Sequence, residues 1–90
     1  MGAVADTIHR KLQSAFAPDR LEVEDNSALH AGHSGARPGG ETHFTVTIVA
    51  QSFKGDARIQ RQRKVLGVLA EELAGPVHAL SVKALAPGEV

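Results

Sequence analysis

Apolar and polar residues repeat along the chain with two different periods, and each change of period marks a predicted element. Over residues 4–16 the apolar positions recur every three or four residues, which predicts a helix with one buried face. These positions are Val4, Ile8, Leu12, Ala15 and Phe16. Residues 21–25 alternate between apolar and charged and predict a short strand. Residues 42–50 predict the clearest strand, in which one parity is apolar: Phe44, Val46, Ile48 and Ala50.

A second helix is predicted over residues 59–74, followed by a last strand over residues 77–85. Asp56 is the candidate N-cap of this helix, and Gly75-Pro76 ends it because proline cannot continue a helix. Its buried stripe is predicted to consist of Ile59, Val65, Leu66, Leu69, Ala70 and Leu73. The predicted order of elements is therefore α-β-β-α-β.

These elements predict one α+β domain that occupies residues 1–90. The helices must cover one face of a three-stranded sheet, because neither the helical stripes nor the strands can be buried otherwise. The strands on either side of residues 26–40 predict an antiparallel hairpin. Residues 26–40 contain four glycines, one proline and two histidines, so we expect a flexible loop that carries function. Residues 86–90 are expected to form a frayed tail.

The composition limits the kinds of chemistry that this chain can perform. Ten Lys and Arg residues balance ten Asp and Glu residues, whereas a dedicated nucleic-acid binder usually carries a net positive charge. The chain has no cysteine, which excludes disulfides, thiol nucleophiles and metal sites built from its own thiolates. No serine has a patterned histidine partner, and no phosphate-binding glycine motif follows a strand. We therefore expect no enzymatic activity.

The sequence also bears on the compartment. No segment approaches the roughly 20 consecutive apolar residues that cross a bilayer. The first residues, MGAVADT, lack the basic and apolar stretches of a secretory signal. We therefore expect no membrane association and a cytoplasmic location, or the matrix of an organelle if the source is a eukaryote.

Three histidines are candidate metal ligands. His30 and His33 lie in the predicted loop, and His78 stands at the start of the last strand. Neutral imidazole binds iron, zinc and copper, and in Rieske-type centres two histidines replace two cysteines on one iron. Two imidazoles do not complete a tetrahedral site, so a second molecule would have to provide the other ligands. The alternative is structural, with solvated loop histidines and a half-buried, hydrogen-bonded His78, while His43 in its strand is expected to pack against a neighbour.

A cluster of cations covers the start of the second helix, and we call it the basic surface: Lys54, Arg58, Arg61, Arg63 and Lys64. Cations at a helix N-terminus oppose the helix dipole. Such a placement favours a surface for phosphate groups or for an acidic partner. The alternative is a solvated helix face. Aromatic residues, on which single-stranded nucleic acids stack, do not interleave with these cations.

Four separated segments together resemble the BolA-like family: LEVEDNS, ETHFTVTIVAQSFKG, RIQRQRKV and LAEELAGPVHALSVKA. The resemblance extends from Leu21 to Ala84 and implies an αββαβ fold similar to class II KH domains. It also implies a monothiol glutaredoxin as partner and a [2Fe-2S] cluster held between the two proteins. The glutaredoxin cysteine and glutathione would bind the cluster on one side and histidines of the BolA-like protein on the other. On this resemblance, the ligands of this chain are His78 and the loop residue His30.

The chain departs from the family pattern in two places. The family commonly has Arg-His-Arg where this chain has Arg61-Gln62-Arg63, so no role of that family histidine carries over. The predicted loop is longer than in many members, which leaves His30 and His33 as alternative loop ligands. A GXXG loop, with which KH domains clamp a nucleic-acid backbone, is absent.

Three functional hypotheses follow from these patterns. The first is a non-enzymatic adaptor that coordinates or transfers a [2Fe-2S] cluster with a monothiol glutaredoxin in iron homeostasis. In that case the free chain would be a monomer or weak homodimer without a cofactor of its own. The alternative is a DNA-binding transcriptional regulator that uses the basic surface. The third is a protein-interaction module without metal. The zero net charge and the absence of interleaved aromatic residues favour the first.

Overall fold

A computed structural model of the chain describes residues 2–26 and 42–89. Its elements follow the predicted order, except that the second predicted helix is divided into two. They are α1 (Ala3–Phe16), β1 (Arg20–Asp25), β2 (His43–Val49), α2 (Arg58–Val68), α3 (Ala70–Ala74) and β3 (Ala79–Leu85). A short 3-10 turn over Gln51–Phe53 follows β2. The predicted loop lies outside the described residues, apart from Asn26.

The three strands form one mixed sheet in the order β1-β2-β3. The predicted hairpin is confirmed, since β1 pairs with β2 in antiparallel orientation and Val23 lies opposite Val46. The other side of β2 pairs with β3 in parallel orientation, with Val46 opposite Val82. A parallel pair requires a crossover connection, and α2 and α3 provide it. The central strand β2 is therefore hydrogen-bonded on both sides.

The core lies between one face of this sheet and the helices. The apolar parity predicted for β2 is the buried one, and it packs with side chains of both long helices. The cluster includes Ile8 and Leu12 of α1, Phe44, Val46 and Ile48 of β2, and Val65 of α2 together with Leu69. Burying this much apolar surface is the main force that holds a domain of this size together. The predicted α+β architecture, with helices on one face of a three-stranded sheet, is confirmed.

The prediction of one continuous helix over residues 59–74 is wrong. Leu69 separates α2 from α3 and has φ −101° and ψ 19°, outside the helical region. Its side chain is fully buried, so the break keeps this apolar residue in the core while the chain changes direction. Ile59 was also predicted to be buried, but 59% of it is exposed. It lies six positions before Val65, which at 3.6 residues per turn places it about 120° around the helix from the buried stripe.

Two polar contacts hold parts of the fold together, one between helices and one in the turn after β3. The Lys11 ammonium of α1 donates to the Glu72 carboxylate of α3, with an Nζ–Oε2 distance of 2.8 Å. We expected a frayed tail after β3, but Ala86 is buried. Its N–H donates to the Glu89 carboxylate at 2.9 Å, so described residues 86–89 form a turn held against the domain. Within residues 2–26 and 42–89, no helix is long and apolar enough to cross a membrane.

Candidate functional site at the histidine edge

Three strand ends meet at one end of the sheet. The end of β1 lies beside the start of β2, and the start of β3 lies on the other side of β2. The N–H of Asn26 donates to the carbonyl of His43 at 2.7 Å, and the Thr45 hydroxyl donates to the Asn26 side-chain oxygen at 2.7 Å. Both described ends of the chain around residues 27–41 are therefore anchored here. We call Asn26, Thr42, His43 and His78 the histidine edge.

His78 immediately precedes β3 and has a fixed backbone. Its N–H donates to the Thr42 carbonyl at 2.7 Å, and the N–H of Ala79 donates to the same oxygen at 3.1 Å. The side chain of His78 is exposed, so the alternative of a half-buried histidine does not describe it. An exposed imidazole on an immobile backbone is accessible to a ligand or to a partner protein.

His43 is the first residue of β2, and its side chain lies on the sheet face opposite the helices. It is only 7% exposed, and its Nδ1 is hydrogen-bonded to the hydroxyl of Thr42 at 2.8 Å. The imidazole rings of His43 and His78 are in contact, with centroids 5.3 Å apart and an angle of 52° between their planes. The neighbour against which His43 packs is therefore the candidate ligand His78. Sequence reasoning missed this pair, because it depends on the parallel register that sets His43 beside Ala79, which no local sequence pattern reveals.

The two loop candidates, His30 and His33, lie outside the described residues. Within the described residues, no group of three or more histidine, aspartate or glutamate side chains is arranged to hold a metal ion. Because the whole chain also lacks cysteine, the metal-binding donors that the histidine edge offers are chiefly its imidazole nitrogens. The described part of the edge offers an incomplete ligand set, which suits coordination shared with a second molecule.

The basic surface is partly neutralised by the chain itself. The Arg61 guanidinium makes a two-point ion pair with the Glu89 carboxylate, in which the Nη2–Oε2 distance is 2.9 Å. It also donates to the carbonyls of Asp56 and Ala84, at 3.0 and 3.2 Å. The hydrogen bond from Arg61, and then the one from the Ala86 N–H, lower the pKa of Glu89 to about 2. Arg61 is thus engaged in holding α2 against β3 and the turn after it.

The other four cations of the basic surface fall into two groups. The Lys64 ammonium is bound by the Asp56 carboxylate and by the carbonyl of Ser52. Asp56 therefore serves as an ion-pair partner, whereas the residue at the N-cap position of α2 is Ala57. The remaining three cations are exposed, and none forms an ion pair with another described residue: Lys54, Arg58 and Arg63. The surface open to a partner is smaller than the sequence predicted.

A cleft of about 600 Å³ lies between α2 and β3 beside the basic surface. Three cations and two carboxylates line it: Arg58, Arg61 and Lys83 with Asp56 and Glu89. An anion-binding site requires a net excess of donors or positive charge. The excess is only one positive charge, and Arg61 is already paired with Glu89, so the histidine edge is the stronger candidate site.

Known proteins are similar to this chain in both sequence and fold. The sequence profile described as BolA-like protein matches residues 12–89. BolA-like protein 1 of Homo sapiens is 44% identical over 89 residues, which cover 99% of this chain and 62% of that protein. The chain therefore spans less than two thirds of the length of this relative.

Solved structures give the same result. The structure titled BolA domain of SufE1 from Arabidopsis thaliana has a TM-score of 0.90 and 41% identity, and the match covers 100% of this chain and 99% of that one. BolA1 from Arabidopsis thaliana has a TM-score of 0.87 and 37% identity, with coverage of 100% and 99%. From the profile match over residues 12–89 and these relatives, we conclude that the chain belongs to the BolA-like family.

Proposed function

We propose that this protein is a non-enzymatic adaptor that pairs with a monothiol glutaredoxin to coordinate or transfer a [2Fe-2S] cluster in iron homeostasis. In this proposal His78 and the loop residue His30 bind one iron of the cluster, with His33 as the alternative loop ligand. The partner cysteine and glutathione bind the other iron. Membership of the BolA-like family supports the choice of partner, and the arrangement of the histidine edge supports the choice of residues.

One observation carries the proposal: His78 is an exposed imidazole on a backbone fixed by hydrogen bonds to Thr42. A ligand at the start of an edge strand can contact an ion held by another molecule, whereas a core histidine cannot. The rigid backbone also lowers the entropy that is lost when the side chain binds. These two properties are what a ligand shared across a protein interface requires.

The length of chain after Asn26 limits where the loop ligands can lie. His30 is four residues beyond Asn26, so it can lie at most about 14 Å away from that anchored residue. His33 is seven residues beyond it and has a limit of about 25 Å. Because Asn26 is hydrogen-bonded to His43 at the histidine edge, the shorter tether favours His30 as the ligand that joins His78.

The residues of the chain fit half of the coordination of a [2Fe-2S] cluster. Iron in such clusters accepts imidazole nitrogen in place of thiolate sulfur, as it does in Rieske centres. A chain without cysteine supplies no thiolate ligand, so the sulfur ligands must come from the partner. The cluster, when bound, is the cargo of the complex, and this chain's contribution is to bind and orient one of its irons.

The contacts of the basic surface weaken the alternative of a DNA-binding regulator. Nucleic-acid affinity depends on the number of phosphates that Lys and Arg neutralise. Arg61 and Lys64 are already bound to Glu89 and Asp56. The zero net charge of the chain adds no general attraction for a polyanion. No described feature favours this function over the adaptor, and the exposed part of the surface is equally suited to an acidic protein partner.

The direct test is co-expression of the full chain with a monothiol glutaredoxin from the same source, in the presence of glutathione. The purified pair should contain iron and acid-labile sulfide. Its visible circular dichroism should differ from that of the glutaredoxin loaded with a cluster alone. His78→Ala should abolish this difference, whereas His9→Ala, a substitution in α1 away from the histidine edge, should leave it unchanged.

The outcomes separate the adaptor from an interaction module without metal. A pair that forms without iron would identify an interaction module without metal and refute the adaptor. A spectrum that His78→Ala does not change would remove His78 from the proposed ligands. His30→Ala and His33→Ala, compared in the same assay, identify which loop histidine contributes.

A further inference from the structure

The two imidazoles of the histidine edge differ in how strongly burial restricts their side-chain rotation. His43 lies at the start of the central strand and is 7% exposed, whereas His78 precedes an edge strand and is exposed. Their rings are nevertheless in contact, with a centroid separation of 5.3 Å and a 52° tilt. Ring pairs in proteins favour separations of 4.5–7 Å in tilted or offset arrangements. The contact therefore has the geometry of a packed ring pair between a fixed residue and an accessible one.

The ring of His43 is fixed from several directions. Its backbone belongs to the strand that pairs on both sides, and its carbonyl accepts a hydrogen bond from Asn26. Its Nδ1 is hydrogen-bonded to the Thr42 hydroxyl, and Thr42 is itself only 2% exposed. A side chain that is buried, hydrogen-bonded and attached to a central strand has little rotational freedom. His43 can therefore act as a rigid surface for whatever packs on it.

The side chain of His78 has no comparable restraint from burial. An exposed side chain with two rotatable bonds usually exchanges among staggered rotamers, and restricting it on binding costs conformational entropy. Contact with the immobile ring of His43 restricts this exchange before any ligand arrives. Hydrogen-bond partners that orient a metal-binding histidine commonly change metal affinity by about 10- to 100-fold, and a packed ring that fixes the same side chain should act in the same direction.

We propose that His43 is a positioning residue: its buried ring holds the imidazole of His78 in one orientation, ready to bind a metal at the exposed edge. The link to metal binding rests on the proposed function, but the restriction of His78 does not. His43 acts through its flat ring, not as a ligand. Its burial and its hydrogen bond to Thr42 suit it to the positioning role, while the exposure of His78 suits that residue to ligation.

The first test uses the free chain, residues 1–90, and requires no cluster. Three-bond NMR couplings about the Cα–Cβ bond of His78 report its rotamer populations. One rotamer should dominate in the wild type and in His43→Phe, which keeps a flat ring. In His43→Ala the populations should move toward about one third for each staggered rotamer. Averaging in the wild type, or unchanged couplings in His43→Ala, would overturn the proposal.

The second test uses the complex with cluster-loaded monothiol glutaredoxin. His43→Ala should weaken cluster-dependent association by about tenfold, and His43→Phe should restore most of it. If His43→Phe is as defective as His43→Ala, a ring nitrogen of His43 is required and the positioning role is refuted. Thermal unfolding identifies variants that do not fold. If His43→Ala is one of them, His43→Leu provides a bulky apolar side chain without a flat ring, and the same losses are expected.

The two tests also separate this inference from the proposed function. If the wild-type pair contains no cluster, the adaptor proposal fails, while the NMR couplings still decide whether His43 orients His78. If the cluster forms and depends on His78 but not on the ring at position 43, the adaptor proposal stands and the positioning role fails.

Discussion

Arg61 and Glu89 form a two-point ion pair that joins α2 to the turn after β3, across 28 positions of the chain. The sequence assigns Arg61 to a binding surface, but in the structure its guanidinium makes a structural contact. The same guanidinium donates to the carbonyls of Asp56 and Ala84. Arg61 therefore connects the start of a helix, the end of a strand and the final turn.

Glu89→Gln should change how stability depends on pH. The pKa of Glu89 is lowered to about 2 from an ordinary value of 4.5. A carboxyl whose folded-state pKa is depressed contributes stability above its unfolded pKa and loses it as the pH falls toward the folded pKa. We expect Glu89→Gln to lower the Tm near neutral pH, and the difference from wild type to shrink between about pH 4.5 and pH 2.

Thermal unfolding followed by circular dichroism at several pH values measures this effect. Glu71→Gln is the control, because the Glu71 side chain is 89% exposed and lies 3.8 Å from its nearest cation, Lys11. A Tm difference for Glu89→Gln that stays constant down to pH 2 would contradict the predicted linkage.

Arg61→Ala and Arg63→Ala should have different effects although both residues belong to the basic surface. Arg61 is engaged in the contacts described above, whereas Arg63 is exposed and has no ion pair within the described residues. We expect Arg61→Ala to lower the Tm clearly. Arg63→Ala should change the free energy of unfolding by less than about 0.5 kcal/mol. Urea titrations of both variants provide the comparison, and equal losses would show that the assignment of Arg61 as a structural contact is incorrect.

Leu69→Ala should be one of the most damaging substitutions in the second half of the chain. Leu69 is fully buried at the break between α2 and α3, and removing its side chain leaves a cavity. The expected loss is about 2–5 kcal/mol of unfolding free energy. Ile59→Ala removes an aliphatic side chain that is mostly exposed, so a loss below about 1 kcal/mol is expected. Chemical denaturation tests the pair, and a larger loss for Ile59→Ala would contradict the observed burial.

Two glycine substitutions should change the free energy of unfolding in opposite directions. Gly67 lies within α2, and a Cβ added there meets no atom within 4 Å, so Gly67→Ala should stabilise by about 0.5–1 kcal/mol. Gly55 also has open space around it, but its φ is +83°. Gly55→Ala should therefore destabilise by about 1 kcal/mol, because L-residues disfavour that backbone conformation. The unfolding midpoints of the two variants, measured together, decide whether backbone conformation or available space governs these sites.

The hairpin and the inward parity of its strands could be predicted from the sequence, because both depend on local alternation. Val23 and Val46 lie opposite each other and both face the core. A shift of one residue in this pairing would turn every side chain of the strand to the opposite face. The break at Leu69 was not predictable in this way. Its apolar spacing continues that of α2, and only packing against α1 and the sheet determines where the chain must turn.

The sequence predicts His78 as a candidate ligand, but it does not predict the contacts around that residue. The resemblance to the BolA-like family led to His78, and composition indicated that this chain supplies no thiolate ligand. The ring contact between His43 and His78 depends on the parallel pairing of β2 with β3, which is a tertiary property. The pairing of Arg61 with Glu89 is likewise invisible in a sequence that places them far apart.

The hydrogen bond from the N–H of Asn26 to the carbonyl of His43 brings together the two ends of the segment that connects β1 to β2. This segment is the longest connection between elements of the fold. For a connection already this long, doubling the number of residues costs only about 0.6 kcal/mol of closure entropy. In terms of this entropy, insertions between Asn26 and Thr42 should therefore cost the domain little stability. Chimeras that carry the corresponding segment of a relative should keep the fold, so a change in partner binding by such a chimera can be assigned to that segment.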